Sequence, residues 1–133
     1  MYRRLRKAAF NRGENMDKTD ETRTYLRGFL PRAVYGKMKC LRWYKRNDAG
    51  ALSMALFVFV SNALRAALRK AGLNDERMTE YYYGKTEGAE HLTEWCCEMA
   101  ERIVQRSFAA WGEVAAEIDG RVEHDIKAIR EAA

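Results

Sequence analysis

An all-α fold is what this chain predicts: a helical bundle of roughly four to five helices around a central apolar helix at about 48–71, with a long C-terminal helix. Three observations lead there. Met54-Ala55-Leu56-Phe57-Val58-Phe59-Val60 is an unbroken apolar run, and apolar residues on every side of a helix call for burial on every side. A single proline, Pro31, stands among many Ala, Leu, Glu, Lys and Arg, a composition of good helix formers. No segment alternates apolar and polar residues between turn signals, so no sheet is expected. At 133 residues, 47% hydrophobic and 32% charged, the chain suits one globular domain large enough to bury a core.

The opening MYRRLRKAAFNR reads as a basic arm, and the polar stretch GENMDKTDET after it as a flexible link. The expected organisation is therefore an arm over residues 1–22 and one helical domain over residues 23–133. A first helix is expected over Thr22–Phe29, stopped or kinked by Pro31. A second follows over Arg32–Arg46. Its Val34, Met38 and Leu41 share one face, while Arg32, Tyr35, Lys39, Arg42 and Arg46 follow the same periodicity along another. Asn47 or Asp48 is placed to cap the central helix. Gly72, just after Arg69-Lys70, is placed to end it: glycine tolerates the left-handed turn, and the cations favour a helix C-terminus.

Asn74-Asp75 opens a short helix, DERMTEYYY, that Gly84 closes. From Thr86 onward the pattern is helical with hardly a pause. Leu92, Cys96, Met99 and Ile103 form one stripe, and Phe108, Trp111, Ala115, Ile118, Val122 and Ile129 extend it at near-heptad spacing. Gly112 and Gly120 are the candidate bend points; with no stronger breaker, the expectation leans to one long helix whose end packs in an oligomer.

Several function classes recede on this reading. The basic start Tyr2-Arg3-Arg4-Leu5-Arg6-Lys7 lacks the apolar stretch of a secretory signal. Cys40, Cys96 and Cys97 are odd in number with two adjacent, which fits neither a disulfide framework nor a Cys-x-x-Cys site and suits a reducing, cytoplasmic setting. Ser53, Ser61, Asn62 and Arg65 interrupt the apolar helix against the roughly 20 apolar residues of a bilayer span, so a core helix and no membrane association are expected. Neither His91 nor His124 is spaced to activate a cysteine. Glu87, His91, Glu94 and Glu98 share a helical side, but the Glu-x-x-His of di-iron bundles is missing, so a solvated face is expected and no metal or cofactor. No phosphate-binding glycine loop or hydrolase motif occurs, and the expectation is a protein that is not an enzyme.

Charge is the most informative feature. Residues 1–46 carry 14 Lys plus Arg against 4 Asp plus Glu, a net of +10, whereas residues 73–133 carry 7 against 14, a net of −7. Such asymmetry points to a nucleic-acid or acidic-partner surface at one end. The candidate nucleic-acid-binding residues are Arg32, Tyr35, Lys37, Lys39, Arg42, Trp43, Lys45 and Arg46: clustered cations release counterions from phosphates, and aromatic neighbours can stack on exposed bases. The alternatives are self-association, basic face on acidic half, and a plain solvated face with Trp43 and Tyr44 in the core. Candidate protein-contact residues are Tyr82, Glu90, Glu94 and Glu98, because three consecutive tyrosines cannot all be buried by one helix face and tyrosine is enriched in interfaces.

In size, helicity and basic character the chain resembles the small helical subunits of multi-subunit RNA-guided defence complexes, and the basic bundle proteins that accompany some reverse transcriptases. No motif of either is present to carry a site across. What the likeness implies is an accessory subunit that meets nucleic acid, RNA or DNA, on its basic face and a protein partner on its acidic helix. The alternative is an interaction module or inhibitor acting through the acidic C-terminal helix.

Overall fold

The structure, a computed structural model, describes residues 15–46, 49–83 and 88–132, with side chains over 20–46, 50–83 and 91–131. Among the described residues it is all helix, without a strand: α1 (Asn15–Phe29), α2 (Arg32–Lys39), α3 (Arg42–Lys45), α4 (Ala49–Lys70), α5 (Asp75–Tyr83), α6 (Gly88–Val104) and α7 (Trp111–Ala132). The expected arm over 1–12 lies outside the described residues. Part of the expected link is helix instead, because α1 begins at Asn15 rather than Thr22.

The apolar run makes α4 the axis of the bundle. α1, α2, α3, α6 and α7 all pack against it. Ala55, Leu56, Val60, Leu64 and Leu68 are fully buried along it, and Leu26, Met38, Cys96, Met99, Ile103 and Val114 close around them. α4 is also long and apolar enough to cross a membrane, and about half of that stretch is buried inside the bundle. Its C-terminus forms a Schellman motif, in which the Leu73 N–H donates to the Leu68 carbonyl (3.1 Å) and the Gly72 N–H to the Arg69 carbonyl (3.0 Å). Gly72 takes φ +101°, a left-handed value that explains the glycine. Asn74 then caps α5, its Oδ1 accepting from the Arg77 N–H at 2.8 Å.

Two expected continuous helices are broken. The one expected over Arg32–Arg46 parts at Cys40–Leu41, where the Cys40 N–H donates to Lys37 (3.2 Å) and the Leu41 N–H to Met38 (3.1 Å), three residues back rather than four. Met38 and Tyr44, six residues apart, point about 120° away from each other on a straight helix at 3.6 residues per turn. The break lets both be buried.

The long terminal helix exists as α7, 22 residues, but it is not continuous with α6. The chain turns at Gln105–Ala110 through a second Schellman motif: the Ser107 N–H donates to Arg102 (2.9 Å) and the Arg106 N–H to Ile103 (3.0 Å). The left-handed residue is Arg106, at φ 58°. Gly112 and Gly120 lie inside the straight α7, where a Cβ would meet nothing within 4 Å. Phe108 is buried just past the turn, and the Glu113 carboxylate accepts from the Ala109 N–H at 2.8 Å to start α7.

A left-handed arginine carries strain that glycine does not. Arg106→Gly is therefore expected to be more stable than Arg106→Ala by about 1 kcal/mol, the reverse of their order inside a helix. Both variants lose the stacking of the Arg106 guanidinium on the Tyr25 ring (4.9 Å), so the comparison isolates the backbone. Urea denaturation of the two reads it, and an alanine variant as stable as the glycine one would contradict the assignment.

Candidate nucleic-acid interface

The basic face is built where α1, α2 and α3 meet. Pro31 lets α1 end at Phe29 and α2 start at Arg32, and its carbonyl accepts from the Tyr35 N–H at 2.8 Å. α3 is only four residues long and would not hold alone. Arg23 of α1 holds it: one guanidinium nitrogen donates to the carbonyls of Tyr44 (2.6 Å) and Arg46 (2.7 Å) at the end of α3. The same guanidinium lies 4.3 Å from the Tyr44 ring centre. Tyr35 of α2 supplies the second tie. Its hydroxyl shares a 2.8 Å hydrogen bond with that of Tyr44, and the rings meet edge to face at 6.0 Å.

Burial pushes the Tyr44 hydroxyl up to about 12, with the Tyr35 hydrogen bond adding to it. Tyr35 moves the other way: burial raises it, but its hydrogen bonds to Tyr44 and Arg27 and the nearby Arg27 and Lys39 charges outweigh that and lower it.

Of the residues selected from sequence, Arg32, Lys37, Lys39, Arg42, Lys45 and Arg46 are exposed on this face. Tyr35 and Trp43 are half-buried and pack against the core. Lys39 lies over the Tyr35 ring at 5.3 Å, and Arg42 and Arg46 over Trp43 at 5.5 and 5.3 Å. The sequence reading missed Arg23 and Arg27. Arg23 is the clamp just described, and Arg27 sits beside the Tyr35 hydroxyl. A signal for both was present: between Arg23 and Arg46 the chain carries eight Lys or Arg and no Asp or Glu.

The second expected surface is only partly assembled. Glu94 and Glu98 are exposed on α6, and the Glu90 side chain lies outside the described residues. Tyr82 requires correction. It is 1% exposed, and the outward tyrosine is Tyr83, at 55%, with Arg65 over its ring at 5.3 Å. The reason is helical phase: Met78 and Tyr82, four apart, share the buried side of α5. Among the described residues no three His, Cys, Asp or Glu side chains converge as metal ligands; Glu87 lies outside them. Burial pushes the Cys96 thiol up to about 12, so it stays protonated at neutral pH.

The α7 stripe also holds a buried carboxyl side chain. Asp125 occupies the heptad position between Val122 and Ile129 and is fully buried. Tyr82 of α5 donates its hydroxyl hydrogen to Asp125 Oδ2, and Arg121 Nε donates to the same oxygen at 2.8 Å. His124 Nδ1 lies 3.1 Å from Oδ1. The Arg121 guanidinium is 5.5 Å from the Trp95 ring of α6, so this network joins α5, α6 and α7.

No protein-family model, no curated protein and no solved structure matches the chain.

Proposed function

We propose that this chain is a non-enzymatic, nucleic-acid-associated helical subunit that binds a phosphate backbone through the α1–α3 face, as an accessory of a larger assembly. The observation that carries the reading is the run of eight cations without a carboxylate from Arg23 to Arg46. Arg23 of this run is spent on tying α1 to α3, and the other seven, Arg27, Arg32, Lys37, Lys39, Arg42, Lys45 and Arg46, are exposed. Such a field attracts polyanions and gains affinity by releasing their counterions. A second reading, a protein-contact module working through α6, rests on the exposed Glu94 and Glu98.

Reversing Arg42, Lys45 and Arg46 to Glu separates the two. On the phosphate reading the variant loses binding to a fluorescent oligonucleotide by more than tenfold at low salt. The slope of log affinity against log salt falls by about 3 or more, since each lost phosphate contact removes about one unit. Helicity and oligomeric state stay as in the parent. Unchanged binding, or an oligomer that falls apart, would refute the phosphate reading and promote the contact module.

A further inference from the structure

Resting on that phosphate reading, we infer that the α1–α3 face takes duplex nucleic acid by its backbone alone and does not stack on bases. Cations interleaved with Tyr35, Trp43 and Tyr44 form the pattern of a single-strand binder, whose rings are platforms for successive bases. In the folded protein each of these rings is already engaged. Tyr44 is only 6% exposed and lies under Arg23 at 4.3 Å. Tyr35 spends its hydroxyl on Tyr44 and holds Lys39 at 5.3 Å. Trp43 is half-buried against the core and holds Arg42 and Arg46 at 5.5 and 5.3 Å.

A base arriving at Trp43 has to displace a guanidinium, and with it a phosphate contact on the same strand. Left in place, the exposed Arg42 guanidinium is steadied by the ring in a position from which it can meet phosphate oxygens. The aromatic residues therefore order the cations and leave bases unread. What remains to distinguish ligands is charge density. A duplex presents one negative charge per about 1.7 Å of its axis against one per about 3.4 Å for each strand, so the duplex is preferred.

The test uses the whole chain and three fluorescent probes of equal length: duplex DNA, single-stranded DNA, and a single strand whose residues are all abasic. At low salt the duplex is expected to bind at least tenfold tighter than the single strand. The abasic strand is expected to bind within about twofold of its base-bearing counterpart, because its phosphates are the same. Trp43→Leu should weaken all three by a similar factor, through Arg42 and Arg46. An abasic strand that loses tenfold, a single strand that matches the duplex, or a Trp43→Leu variant that loses only base-bearing strands would overturn the inference while leaving phosphate binding intact. If none of the three binds, the phosphate reading itself falls and takes this inference with it.

Discussion

Replacing Asp125 by alanine is expected to remove about 3 kcal/mol or more of folding stability, a large share of the roughly 5–15 kcal/mol that a domain possesses. Asp125 is fully buried, and so is the Tyr82 hydroxyl that points at it. Arg121, 2.8 Å away, is itself mostly covered. Deleting the carboxylate leaves a buried donor and a largely desolvated guanidinium with no acceptor, each costing its full desolvation penalty. Asp125→Asn keeps an acceptor oxygen but loses the charge that Arg121 needs, so its cost should fall in between.

The informative variant is the triple change Asp125→Leu, Tyr82→Phe and Arg121→Met, which removes the carboxylate together with both donors to its Oδ2 and leaves the exposed His124 in place. Since buried ion pairs owe most of their apparent worth to the damage done by breaking them, the triple variant should recover much of the loss. Urea denaturation of the three proteins measures this. An alanine variant within about 1 kcal/mol of the parent would mean that the network stays wet and open.

The same residue shows what a linear reading captures and what it misses. Ile118, Val122 and Ile129 announced the inner side of α7, and the gap between Val122 and Ile129 marked where a further inward residue had to fall. Aspartate there reads as an interruption until Tyr82 and Arg121 are seen beside it, and Tyr82 comes from 43 positions away. Locally encoded features were plain: Gly72 at the end of α4 and Asn74 before α5 both rest on residues within about a turn of one another. The breaks at Cys40–Leu41 and Gln105–Ala110 were hidden, since neither uses glycine or proline and both are decided by which distant side chains must be buried. Gly112 and Gly120 misled for the converse reason: a helix with support on one side tolerates them. At the basic face, composition revealed the cations. That Arg23 would clamp α3, and that the tyrosines would spend their hydroxyls on each other, depended on the turn at Pro31 and the break before Arg42.

Stability is expected to fall steadily above about pH 9, with Cys96 as the first cause. Burial holds its thiol near 12 in the fold, against 9.0 for the free group. Below pH 9.0 the thiol is protonated in both states and contributes no pH dependence. Between 9.0 and about 12 the unfolded chain releases the proton and the folded one keeps it, so the folded state binds more protons and stability declines as pH rises. At about 1.4 kcal/mol per unit the loss from this one group is of order a few kcal/mol by the top of that range. Tyr44, raised from 10.0 to about 12 by burial and its bond to Tyr35, adds to the slope above pH 10.0, and Tyr35, which is lowered, offsets part of it. Tyr82, raised chiefly by burial and then by Asp125, acts in the same direction. The order of onset gives the assay its resolution. Between pH 9.0 and 10.0 the thiol acts ahead of the tyrosines, so Cys96→Ala should flatten that part of the curve while Tyr44→Phe should leave it in place. Denaturation midpoints taken at half-unit steps decide the matter, and a Cys96→Ala protein that still declines as steeply as the parent across that window would show that the thiol is not what limits the fold in alkali.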